Sequence, residues 1–168
     1  MESAQNIVAL AYQSLGYFVI QGKKVGNNEI DLLAIRLDAN NNIIKRLHVE
    51  VQISVNPVGV LRSSSKFKKT LNDPIAAVQD YIDKKFNNPK TIKVINKIFG
   101  DHPYCKVFVY GNLKAPGQLK VFKDNKIKTI FISNLINSIN YKELVHELRR
   151  NLDVVGILSQ NKMKKGKN

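Results

Sequence analysis

Two strand-like runs separated by four residues constrain this chain more than any other feature in it. EIDLLAIRLD (29–38) and IIKRLHVEVQIS (43–54) flank ANNN (39–42), an Asn-rich turn, and read as the two arms of a hairpin. Side chains alternate faces along a strand, so His48, Glu50 and Gln52 point one way while Val49, Val51 and Ile53 point the other. The apolar set can face a core. An acid and an amide side by side on the opposite face of such a strand need a purpose. Antiparallel pairing of the arms carries Asp31 toward Glu50. Two carboxylates and a backbone carbonyl are the hard oxygen ligands that Mg²⁺ prefers, with positions left for water and a phosphate oxygen.

The elements before the hairpin follow from spacing. Ala4, Ile7, Val8, Ala11 and Leu15 form a helical stripe that Gly16 ends, YFVIQ (17–21) is a short strand, and GKKVGNN (22–28) is a turn presenting Lys23 and Lys24. The order is αβββ. Residues 54–73 are a Ser-rich connection with Lys66, Lys68 and Lys69 clustered, and long connections of this kind are commonly functional. A helix over 74–86 opens at Pro74 behind Asp73 as N-cap and shows Ile75, Val78, Ile82 and Phe86 on one face; a second runs from Thr91 to Phe99 and stops at Gly100. YCKVFVYG (104–111) is a strand holding Cys105 as a buried residue. GQLKVF (117–122) and KIKTIFIS (126–133) are expected as further strands and NYKELVHELRRN (140–151) as a helix, while LDVVGILS (152–159) reads as either.

One α/β domain over residues 1–160 with a basic, unstructured tail at 161–168 fits the length, and 43% hydrophobic residues exclude a disordered chain. No run approaches the apolar length of a membrane span and the N-terminus lacks the basic region of a secretory signal, so a cytoplasmic protein without a membrane partner is expected. One cysteine excludes an internal disulfide and a zinc site built of cysteines. Residues 1–55 hold five basic and five acidic side chains, so the net charge of +14 belongs to the remainder. A neutral segment carrying the strand acids, followed by a basic one, suits a polyanion partner.

The string GY (16–17), EIDLLA (29–34) and VEVQ (49–52), set behind a helix and a Gly-containing turn, resembles the PD-(D/E)XK nuclease superfamily, nearest its Mrr-type restriction and archaeal resolvase branches. The resemblance covers roughly residues 2–54. It implies a restriction-endonuclease-like αβββαβ core with a central mixed sheet, and a site at one edge cleft. It also implies hydrolysis of DNA phosphodiester bonds with Mg²⁺, for which Mn²⁺ would substitute. Asp31 and Glu50 match the two acids of the pattern, and Gln52 stands where relatives usually carry Lys. The first-helix acid of many relatives corresponds to Gln5, with Glu2 one turn earlier. The implied roles are metal ligation by Asp31, Glu50 and Val51, water or metal positioning by Gln52 and by Glu2 or Gln5, and DNA contacts from Lys23, Lys24, Lys66, Lys68 and Lys69. Removing either acid should then cost metal and little core. His48 reads as a hydrogen-bonding neighbour of Glu50, and His102 and His146 suggest no catalysis. Double-strand cutting would need two sites, so a homodimer through 152–159 is an expectation. A catalytically inactive nucleic-acid-binding module on the same fold is the alternative, and an interaction protein whose charge is only compositional is a third.

Overall fold

The hairpin arms lie at the centre of a five-stranded mixed sheet. In this computed structural model residues 2–53, 74–113 and 117–138 are described, apart from the side chains of Glu2, Ser3 and Pro74. The strands are β1 (Tyr17–Val25), β2 (Asn28–Leu37), β3 (Ile43–Gln52), β4 (Cys105–Tyr110) and β5 (Ile127–Phe131), and they lie in the order β1-β2-β3-β4-β5. β1, β2 and β3 pair antiparallel, and β3, β4 and β5 pair parallel, so β2 runs opposite to the other four. The turn between β2 and β3 is held by Asp38, whose carboxylate accepts the N–H groups of Asn40 at 2.9 Å and Asn42 at 2.8 Å, while Asn41 takes a positive φ of 62°. The asparagine run is thus local turn chemistry.

Helices cover both faces. On one, α1 (Glu2–Ser14) and α5 (Ile132–Asn137) pack Val8, Ala11, Tyr12 and Leu135 onto Leu32, Leu47, Val49, Val51, Val107 and Val109. On the other, α2 (Pro74–Lys85) and α4 (Gly117–Asp124) join Val78, Ile82, Phe86 and Phe122 to Phe108 and Ile127, and α3 (Pro89–Phe99) sets Ile95 and Phe99 against Val25, Ile30 and Leu33. α3 is closed at both ends, by the Asn88 side chain accepting from the Lys90 N–H and by left-handed Gly100 donating to Asn96 O. Caps of this type are worth about 1 kcal/mol each.

Four expectations change here. β1 extends to Val25, placing Lys23 opposite Ile30 and Lys24 opposite Glu29 within the ladder, so both lysines project from a strand and not from the turn. GQLKVF is helical: Gln118 and Phe122, four residues apart, are both fully buried, and Phe122 stacks on Phe108 at 4.3 Å. Ile132 and Ser133 open α5 and do not extend β5. Cys105 does lie on a strand but is exposed, because it is the first residue of β4. Asp73, Lys66, Lys68, Lys69, His146, the 140–151 helix, the 152–159 run and the tail lie outside the described residues.

Candidate active site

β3 outlasts its pairing with β2. The ladder between them ends at Leu32 opposite Val49, yet β3 continues through Glu50, Val51 and Gln52 while still paired to β4. A backbone amide left unpaired where strands part needs another acceptor. Asp31 supplies it: its Oδ2 accepts the Val51 N–H at 2.8 Å. The acid is thereby fixed beside Glu50, and the two carboxylates form the pair that the strand register allowed.

The first helix joins them, since Gln5 Nε2 donates to Asp31 Oδ1 at 3.0 Å. The fourth participant is Lys85, at the end of α2. Its Nζ donates to Asp31 Oδ1 at 3.2 Å and to the Glu29 carbonyl at 2.9 Å, and makes an ion pair with Glu50 Oε2 at 2.6 Å. The hydrophobic stripe of α2 puts it there. Ile75, Val78, Ile82 and Lys85 follow one another at spacings of three and four, so the lysine occupies a position of the buried face with Phe86 beside it. That a lysine stands in an apolar stripe was the available signal, and sequence reasoning missed it.

Glu50 and His48 are completely buried and Asp31 nearly so. The polar face of β3 is therefore a core surface beneath α2, not the floor of an open cleft, and it lies in mid-sheet rather than at an edge. His48 is wedged between the rings of Phe86 (4.9 Å) and Tyr104 (6.3 Å), and its Nε2 lies 2.9 Å from Glu50 Oε1. Burial, with Lys85 and Lys106 nearby, drives the imidazole down to about 3, so the ring is neutral and the contact is a hydrogen bond, not an ion pair. Gln52 ends β3 half-buried on the same face, opposite Tyr110. Glu2 lies in the first turn of α1, and Lys23 and Lys24 are exposed on β1. His102 is exposed in the loop before β4. A cavity of about 1050 Å³ opens at the other end of the sheet, near Lys45, Tyr104, Lys106 and Lys128, and neither carboxylate lines it.

The electrostatics are those of crowded acids. Burial raises Asp31 to about 6, with repulsion from Glu50 adding to the shift, and burial raises Glu50 to about 7. Burial alone would lower Lys85, but the Glu50 and Asp31 charges outweigh it and hold the ammonium above the ordinary lysine range. Three oxygens from three residues, Glu29 O, Asp31 Oδ1 and Glu50 Oε2, converge on that ammonium, and hard oxygen donors are the chemical type that Mg²⁺ and Mn²⁺ take. Among the described residues no group of three or more His, Cys, Asp or Glu side chains is placed to hold a metal. A divalent ion would rely on the two carboxylates, backbone carbonyls and water.

The raised acids set a pH dependence. Between the ordinary carboxylate range and pH 7 the two raised acids bind more protons in the folded chain than in the unfolded one and together outweigh His48, which stays neutral in the fold and works the other way, so stability is greatest toward the acid end of that window and falls as pH rises toward the two folded values. Urea unfolding in chelator, stepped from about pH 4 to about pH 7.5, should show the unfolding free energy falling, and Glu50→Gln should flatten the fall. Equal slopes in the two proteins would contradict the coupling.

The chain matches no family model, no curated protein and no solved structure.

Proposed function

We propose that the chain is a divalent-cation-dependent endonuclease that hydrolyses DNA phosphodiester bonds, with Asp31, Glu50 and Lys85 as its working centre. The observation that carries this reading is the convergence of those three side chains where β3 runs on beyond β2, with Gln5 of α1 behind Asp31. The element order α1-β1-β2-β3-α2-α3-β4, with β4 beside β3 in the sheet, supports a restriction-endonuclease-like core carrying one helix beyond the αβββαβ minimum. Lys85 supplies from a helix the ammonium that the E-x-Q string lacks on the strand.

Asp31, Glu50 and the Val51 carbonyl would hold the metal. Bound Mg²⁺ would polarise the phosphate and acidify the attacking water. Lys85, released from the carboxylates, donates a hydrogen bond to a non-bridging phosphate oxygen and neutralises charge that grows in the transition state. The Gln52 amide oxygen accepts a hydrogen from the water and keeps it in line. The basic excess after residue 55 and the exposed Lys23 and Lys24 serve the DNA backbone.

One observation favours the alternative of an inactive DNA-binding module. Each carboxylate oxygen already has a protein partner: Gln5 and Lys85 on Asp31 Oδ1, the Val51 amide on Oδ2, His48 on Glu50 Oε1 and Lys85 on Oε2. Lys85 then acts as a tethered cation that keeps metal out. Incubation with plasmid and with branched DNA, in Mg²⁺ or Mn²⁺ and beside a chelator control, separates the two. Metal-dependent cutting is the result expected, and binding that ignores the chelator without any cutting selects the module.

A second test asks whether strand and helix positions serve the same phosphate. Lys85→Met should lower cutting by about 100- to 1000-fold, and adding Gln52→Lys should restore at least about tenfold over that background, because a positioned cation acts through where its charge lies and not through its origin in the chain. Failure of the double variant to recover, with its fold intact, would separate Lys85 from the role of a strand lysine.

A further inference from the structure

We infer that His48 is a positioning residue for Glu50: its Nε2–H fixes Oε1 so that Oε2 alone is presented to the cation, whether that is the Lys85 ammonium or a divalent ion. The inference rests on the metal reading above and names the side chain that orients one of its ligands. A glutamate has three free torsions and two equivalent oxygens, so it presents one defined oxygen only if something holds the other. Here His48 Nε2 holds Oε1 at 2.9 Å while Lys85 contacts Oε2 at 2.6 Å. Both His48 and Glu50 are completely buried, so bulk solvent does not compete for Oε1.

The ring packs against two others. Phe86 lies 4.9 Å from it and Tyr104 6.3 Å, so aromatic packing sets the plane from which the N–H is aimed. Phe86 follows Lys85 directly in the chain, so the side chain that wedges the imidazole and the one that meets the free oxygen enter together from the end of α2. On β3 the two residues are separated by one, which puts both on the same face. The remaining ring nitrogen, Nδ1, is buried and has no hydrogen-bond partner among the described residues, so the Glu50 contact is the only one recorded for the ring nitrogens there. Outer hydrogen bonds that orient a ligating carboxylate are typically worth 10- to 100-fold in metal affinity.

The test is Mn²⁺ titration by calorimetry of the full chain and its His48→Phe and His48→Gln variants, with DNA cleavage followed in parallel. His48→Phe keeps a ring between Phe86 and Tyr104 but removes the donor. It should weaken Mn²⁺ binding by about 10- to 100-fold and lower kcat while leaving KM for DNA unchanged. His48→Gln can place an amide N–H near the position of Nε2 and should recover most of the affinity. ¹⁵N spectra of the parent imidazole should show a neutral ring protonated at Nε2. Parent-like Mn²⁺ affinity in folded His48→Phe, or a parent ring protonated at Nδ1, overturns the inference and leaves the metal reading standing. A parent that binds no Mn²⁺ refutes the metal reading and this inference with it.

Discussion

Lys85→Met should destabilise the protein by about 3–5 kcal/mol in chelator, the usual cost of removing one partner from a buried ion pair. Methionine keeps most of the length of the stem but takes away the charge. Asp31 and Glu50 would then repel each other where little water reaches, since neither is more than slightly exposed. Protonation of one acid offers an escape that becomes easier as the pH falls, so the loss should be largest above pH 7, beyond both folded values. Divalent cations should recover about half or more of it, because an ion that binds only the folded chain contributes about 2.7 kcal/mol at a hundred times its Kd. Urea unfolding of parent and variant, with and without Mn²⁺, measures both effects. A variant as stable as the parent and indifferent to Mn²⁺ would mean that Lys85 does not neutralise these carboxylates. On the nuclease reading the same substitution lowers cleavage by about 100- to 1000-fold, the range found when one preorganised charge stabiliser is deleted.

Glu50→Gln should reduce metal-dependent cleavage by about a thousandfold or more while DNA binding persists, since it removes the anionic ligand and preserves shape. The choice of glutamine follows from burial. An exposed strand acid could be cut back to alanine at little structural cost, which is what the strand pattern alone suggested. Glu50 is instead enclosed, with His48 on one oxygen and Lys85 on the other. Glu50→Ala would leave a void, an unmatched imidazole N–H and a half-neutralised ammonium, and an unsatisfied buried polar group costs about 1–3 kcal/mol by itself. Glutamine avoids this. Its amide oxygen can face Lys85 and its N–H can face the ring, which is neutral and can accept by changing tautomer. Loss of cleavage in Glu50→Ala would mix folding with chemistry, whereas in Glu50→Gln it reports chemistry. A Glu50→Gln protein that cuts at the parent rate would remove Glu50 from the mechanism.

How far the site could be read in advance differs residue by residue. Asp31 and Glu50 were legible because a hairpin has a register, and alternation on two joined strands fixes which side chains meet. Gln5 was legible only through its offset from the GY pair, and the contact with Asp31 came from the docking of α1. Lys85 was one lysine among many in a basic chain. Its place in an apolar stripe marked it as buried, but the partner it would be buried against depended on where α2 lands after residues 54–73. The 117–122 run had the same difficulty. Leu119 and Val121 alternate as in a strand, while Gln118 and Phe122 repeat as in a helix, and a six-residue run cannot decide between the two periods. The Phe122–Phe108 stack favoured the helix.

The amino-acid order by itself determined the local elements: the α1 stripe, the three-strand meander, the Asn-rich turn, the capped α3 and the pairing of the two acids. Each depends on residues close in sequence, on a turn of fixed length or on a strand period of two. The tertiary structure decided what surrounds those acids. It closed helices over the face of β3 that carries Glu50, parted β2 from β3 so that Asp31 would take the orphaned Val51 amide, and brought Lys85 onto both carboxylates, across 54 residues in the case of Asp31. Contacts of that range are set by how whole apolar faces dock, and a carboxylate acquires its charge state only from the groups that docking places around it.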